Sequence, residues 1–140
     1  MQQDTPKKAA TSPGVNGART VDDPREYENL GPTEQAALRA WIEVAMKPAG
    51  RVGPSTSYVM KHDFEAAGGF YVSNGAFKGA MLDAGYKPVK RSDQNWRFRQ
   101  RPTNKHADGY SYYHPLPNDN GPGVRKFKDL AEQVRAGRAS

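Results

Sequence analysis

Seven cations, Lys87, Lys90, Arg91, Arg97, Arg99, Arg101 and Lys105, stand within nineteen residues and face a single acid, Asp93. Their net of six equals the formal net charge of the whole chain, +6, so the remainder is electrically neutral. Cations concentrated in this way bind polyanions by releasing condensed counterions. On duplex DNA each phosphate neutralised steepens the log–log salt dependence of affinity by roughly 0.9. Lys90, Arg91, Arg97, Arg99 and Arg101 are therefore the candidate phosphate contacts. Upstream, Asn74 and Lys78 are candidates to read bases or to grip the backbone, since Asn pairs with adenine and Lys suits guanine acceptors. Ser73, beside them, reads as a helix cap.

Other chemistries find little support. The chain has no cysteine, so neither a disulfide scaffold nor thiolate chemistry is available. His62, His106 and His114 are not spaced as metal ligands, and on a helix His62 and the adjacent Asp63 point to different sides. No phosphate-cradling glycine loop, nucleophile elbow or zinc-protease motif occurs. The expectation is a protein without enzymatic activity and without a cofactor.

The elements that must position the cations can be read in order. Pro32 opens a first helix with Glu34 at its positive end, and Leu38, Trp41, Ile42 and Ala45 form its apolar stripe. Pro48 and Gly50 end it. A second helix begins after Thr56 or Ser57, carries Met60, Phe64 and Ala67, and closes at Gly68-Gly69. Phe70-Tyr71-Val72 has the composition of one short strand. A third helix, Asn74 to Ala84, buries Phe77, Ala80, Met81 and Ala84 and stops at Gly85. Its opposite face shows Asn74, Gly75, Lys78 and Gly79, small or polar residues that admit a second molecule closely.

The cations then fall on a β-hairpin. Its arms are Lys87 to Arg91 and Asn95 to Arg99, around a Ser92-Asp93-Gln94 turn. By the two-residue period of a strand, Trp96 and Phe98 point one way and Arg97 and Arg99 the other. Trp41, Trp96 and Phe98 could stack on bases in a single-strand binder, but their spacing assigns them to the core. A last amphipathic helix carries Val124, Phe127, Leu130, Ala131 and Val134.

Helix, helix, short strand, helix and hairpin make an α+β, mainly α arrangement, the layout of a winged helix-turn-helix with three helices and a small β-hairpin wing. Its expected core is Leu38, Trp41, Ile42, Met60, Phe64, Val72, Phe77, Met81, Val89, Trp96 and Phe98. The organisation expected is a flexible tail over 1–29, a winged-helix domain over 30–102, an irregular segment over 103–123 and a C-terminal helix over 124–137. The tail has four basic and five acidic residues and little apolar surface to offset its ordering. In the irregular segment, Tyr110, Tyr112 and Tyr113 either fold back on the domain or form an aromatic contact surface. The last helix either packs on the core or docks a partner.

The stretch Tyr58 to Arg99, with Lys61-His62-Asp63-Phe64, Tyr71-Val72-Ser73-Asn74-Gly75-Ala76-Phe77-Lys78 and Asn95-Trp96-Arg97-Phe98, resembles winged-helix modules of small phage and mobile-element proteins. That resemblance implies a DNA transaction, such as transcriptional regulation or replication accessory work. Duplex DNA, contacted through helix three and the wing, is the expected partner. RNA uses the same charge, and an acidic surface on a host polymerase or nuclease is the alternative. No signal peptide or long apolar run is present, which points to a soluble, cytoplasmic protein without a membrane partner.

Overall fold

The computed structural model describes residues 20–104, 113–117 and 120–139. The first 19 residues of the expected tail, together with Lys105, His106, Tyr110 and Tyr112, lie outside the described residues.

Among the described residues, four α-helices and a two-stranded antiparallel sheet follow in the order α1 (Pro32–Ala45), β1 (Met46–Pro48), α2 (Ser57–Ala66), α3 (Asn74–Asp83), β2 (Gln100–Pro102) and α4 (Pro122–Ala139). A 3-10 helix, Pro24–Asn29, precedes them. The helix boundaries follow local chemistry. Pro32 occupies the first turn of α1, and the Glu34 carboxylate accepts the Gly31 N–H at 2.7 Å. Thr56 caps α2 through Val59 N–H, and Ser73 caps α3 through Ala76 N–H. Gly68 and Gly85 take positive φ (104° and 96°) just beyond α2 and α3, the left-handed position that glycine fills without strain.

The short strand lies elsewhere than expected. Phe70, Tyr71 and Val72 form no strand; β1 instead follows α1 directly. Met46 pairs with Pro102, Lys47 with Arg101 and Pro48 with Gln100. A strand of three residues containing a proline has no alternation long enough to announce itself, and only its partner β2 defines it. Of the expected hairpin arms, Lys87 to Arg91 and Asn95 to Arg99, neither is a strand; they meet at a single Pro88–Phe98 bridge, with Val89 N–H donating to Arg97 O at 2.9 Å. Val89 is the one expected core residue that is not inside. Pro88 shares the inward face with Phe98, so Val89 points outward and is 51% exposed.

The core is built around Trp41, whose ring meets Phe64 at 5.9 Å and Phe77 at 6.0 Å, both edge-on. Such pairs contribute about 0.5–1.5 kcal/mol beyond area burial. Helix α4 starts two residues before the expected Val124, with Pro122 and Gly123 helical, and packs along α1. Phe127, Ala131 and Val134 join the same buried cluster as Trp41, and Arg138 pairs with Glu34 at 2.7 Å.

The start of the folded unit also moves. Residues 20–29 do not belong to a tail. They run across α3, with Gly75 N–H donating to Val21 O at 2.7 Å and Tyr27 packed on the core. Among the described residues, no helix is long and apolar enough to cross a membrane.

Candidate nucleic-acid interface

The alternation of β2 and the hairpin arm before it places Arg97, Arg99 and Arg101 outward while Phe98, Gln100 and Pro102 turn in. Outward neighbours on one strand repeat about every 6.8 Å, comparable to successive phosphates of a nucleic-acid strand. The flanking strands extend this row sideways. Lys47 of β1 stands opposite Arg101, both exposed. On the other edge Lys87, Lys90 and Arg91 are exposed as well, as is Arg51 in the loop after β1. Like charges facing each other across strands weaken a sheet by a few tenths to about 1 kcal/mol. The fold therefore gains nothing from this arrangement by itself.

None of the ion pairs among the described residues involves Lys47, Lys87, Lys90, Arg91, Arg97, Arg99 or Arg101. By contrast Arg25, Arg39, Lys61 and Arg138 each hold a carboxylate within 4 Å. Lys47 and Arg51 are the members that sequence reasoning missed, because the pairing of β1 with β2 brings them to the hairpin.

The segment from Lys87 to Arg99 is tied to the rest of the fold. The Trp96 ring carries the Arg91 guanidinium at 5.4 Å and the Lys78 ammonium at 4.7 Å over it, and its Nε1–H donates to Arg91 O at 3.1 Å. Trp96 N–H donates to Ser57 Oγ at 3.0 Å, and Ser57 Oγ donates to Asn74 Oδ1 at 2.8 Å. Asn74 Nδ2 in turn donates towards Asn95 Oδ1, Asp22 Oδ1 and Gln94 O at 3.0, 2.9 and 3.2 Å. One buried asparagine thus ties together α2, the wing turn and the N-terminal segment. A row of cations on a rigid frame loses less entropy on binding than the same cations on a loop.

Helix α3 does not offer a reading face. Asn74 and Lys78 are only 5% and 3% exposed. Lys78 Nζ donates to Asp22 O at 3.0 Å; desolvation pulls its pKa below the usual lysine value, against the pull of Asp22 and Asp23. Gly75 and Gly79 do permit a close approach, but the approaching chain is the protein's own. A Cβ at Gly75 would strike the backbone of Asp23, and one at Gly79 would strike Tyr27 and the Pro24 carbonyl. Asn74 and Lys78, expected to meet a second molecule, are instead turned onto the protein's own residue Asp22. The five candidate phosphate contacts Lys90, Arg91, Arg97, Arg99 and Arg101 are all at the surface.

The histidines divide. His62 is exposed, edge-on to Tyr58 at 4.6 Å and 3.3 Å from Glu65. His114 is fully buried: its backbone N–H donates to Asp63 Oδ2 at 3.0 Å, and its Nε2 lies 2.7 Å from Gln100 Oε1. It anchors residues 113–117 to α2 and β2. No three-residue cluster of metal-ligating side chains occurs among the described residues. Comparison with protein-family models, with curated proteins and with solved structures gave no significant match.

Proposed function

We propose that this chain is a small non-enzymatic DNA-binding protein of winged-helix type, a regulator or replication accessory factor of a phage or mobile element, that engages duplex DNA with its wing. The observation that carries this reading is the outward row Arg97, Arg99 and Arg101, flanked by Lys47 and Lys87 and free of carboxylate partners among the described residues. The order helix, strand, helix, helix, hairpin, with β1 added to the outer side of β2, is compatible with that type. Helix α3 serves in this reading as the support of the wing, and the phosphate backbone or a flanking groove is what the cations meet.

A second reading has its own observation. Tyr58 of α2 and Tyr71, in the segment after it, are both exposed, and the Lys61 ammonium stands over their rings at 5.8 and 4.8 Å. Exposed tyrosines of this kind are the anchors of protein interfaces, and a host nucleic-acid enzyme docked there would make the chain an interaction module. Competition of labelled duplex DNA by unlabelled duplex, single strand and structured RNA tests the first reading, which expects the duplex to compete best. A stoichiometric host protein that stays bound after nuclease treatment, with no DNA affinity at low salt, would replace it by the second.

A further inference from the structure

The basic face carries a cleft. It opens between the end of β1, the turn after α3 and the outer arm of the hairpin, and has a volume of about 530 Å³. Pro48, Tyr86, Pro88 and Val89 form its apolar walls, Lys87 and Arg99 stand in its lining as cations, and no acidic residue lines it. Its size lies inside the roughly 300–1,000 Å³ range of clefts that take small organic ligands.

We infer that this cleft takes one unpaired nucleotide of a DNA strand lying on the wing, the base against Tyr86 and Val89 and its phosphate on Lys87 and Arg99. The inference rests on the nucleic-acid reading above and adds to it the class of DNA preferred. Three observations carry it. The Tyr86 ring is fixed edge-on to Phe98 at 6.3 Å, so a flat aromatic wall stands ready beside the cations. Burial raises the Tyr86 phenol above its ordinary pKa, and no hydrogen bond among the described residues engages its hydroxyl, which leaves that group for a base edge. Val89 spends an apolar side chain in the open, 51% exposed, at the mouth of the same cleft. In paired duplex the base faces are stacked on one another and cannot enter. An overhang, a fork or a nick supplies the free base, and stacking on an aromatic side chain is sequence-tolerant.

The test separates base from charge. Three labelled DNAs of equal phosphate count are titrated by fluorescence anisotropy: a blunt duplex, the same number of phosphates with a short single-stranded extension, and that extension made abasic. The expected result is about ten-fold tighter binding of the base-bearing extension than of the abasic one. Val89→Trp, which fills the mouth from an exposed position, should abolish that advantage and leave the blunt duplex unaffected; Tyr86→Ala should do the same. Equal affinity for the base-bearing and abasic extensions, with blunt duplex bound, overturns the cleft assignment alone. Failure of all three DNAs to bind overturns the nucleic-acid reading and the cleft with it.

Discussion

At the scale of single residues, the polar side chains that look most available for recognition are the ones the fold consumes. Asn74 accepts from Ser57 and donates to groups on the N-terminal segment and the wing turn. Replacing it by Ala would strand the buried Ser57 hydroxyl and the part-buried groups of Asp22 and Asn95, at about 1–3 kcal/mol for a buried group left unsatisfied. Asn74→Ala should therefore lower the thermal unfolding midpoint by several degrees, measured by circular dichroism. Residual DNA affinity of the folded fraction should equal that of the parent, whereas a base-reading asparagine would lose affinity without losing stability. His114 teaches the converse. A lone histidine beside Tyr113 and Pro115 has no periodic context, and nothing in the sequence marks it as buried; only the approach of Asp63 and Gln100 from distant elements does so.

At the scale of elements, the main surprise is what lies on α3. Residues 20–29 have too little apolar surface to read as ordered, and their attachment runs through main-chain and polar contacts that composition does not report. The sequence did hold one sign of it, two glycines four apart on one helix face, which requires a close neighbour without naming it. Gly79→Ala should push Tyr27 and Pro24 away from α3 and cost about 1–3 kcal/mol in chemical denaturation. Gly137→Ala, at an open position in α4, serves as the control and should cost nothing.

The same contact is pH-dependent at its outer end. Tyr27 Oη and Arg39 Nη1 both donate to Asp83 Oδ2 at 2.8 Å, and those two bonds hold the carboxyl below its ordinary 3.8. Burial and the bond to Asp83 push the Tyr27 phenol up to about 12. A depressed carboxyl contributes its stability above the unfolded value and loses it as pH falls through the folded one. A raised phenol contributes below its ordinary 10.0 and loses that contribution as pH rises towards 12. The clamp should hold between about pH 4 and 10 and weaken outside that window. Thermal midpoints against pH should fall less steeply below pH 4 in Asp83→Asn than in the parent; identical acid limbs would remove the clamp from the account. Helix starts and stops were legible from Pro32, Thr56, Ser73, Gly68 and Gly85 because caps and left-handed positions are local. Strand β1 was not, because its identity depends on a partner more than fifty residues away.

At the scale of the whole molecule, charge and architecture divide the surface. The acids Glu34, Asp83 and Asp23 are engaged by arginines around α1 and the N-terminal segment, while the wing keeps its cations without carboxylates among the described residues. The charge cluster itself was legible in the sequence, and so was the side of the hairpin that bears it. What the sequence could not convey is that Lys47 would join the cluster and that residues 21–27 would lie across α3, since both depend on chain segments meeting in three dimensions.

If the row Arg97, Arg99 and Arg101 neutralises phosphates, the salt dependence of duplex binding must report it. The parent and the Arg97→Ala/Arg99→Ala/Arg101→Ala variant, matched for folding by circular dichroism, would be titrated with one duplex across a salt series. The parent should bind at about micromolar affinity at low salt, and the variant should show a log–log slope shallower by about 2–3, close to 0.9 for each phosphate contact removed. Equal slopes for the two proteins would contradict it.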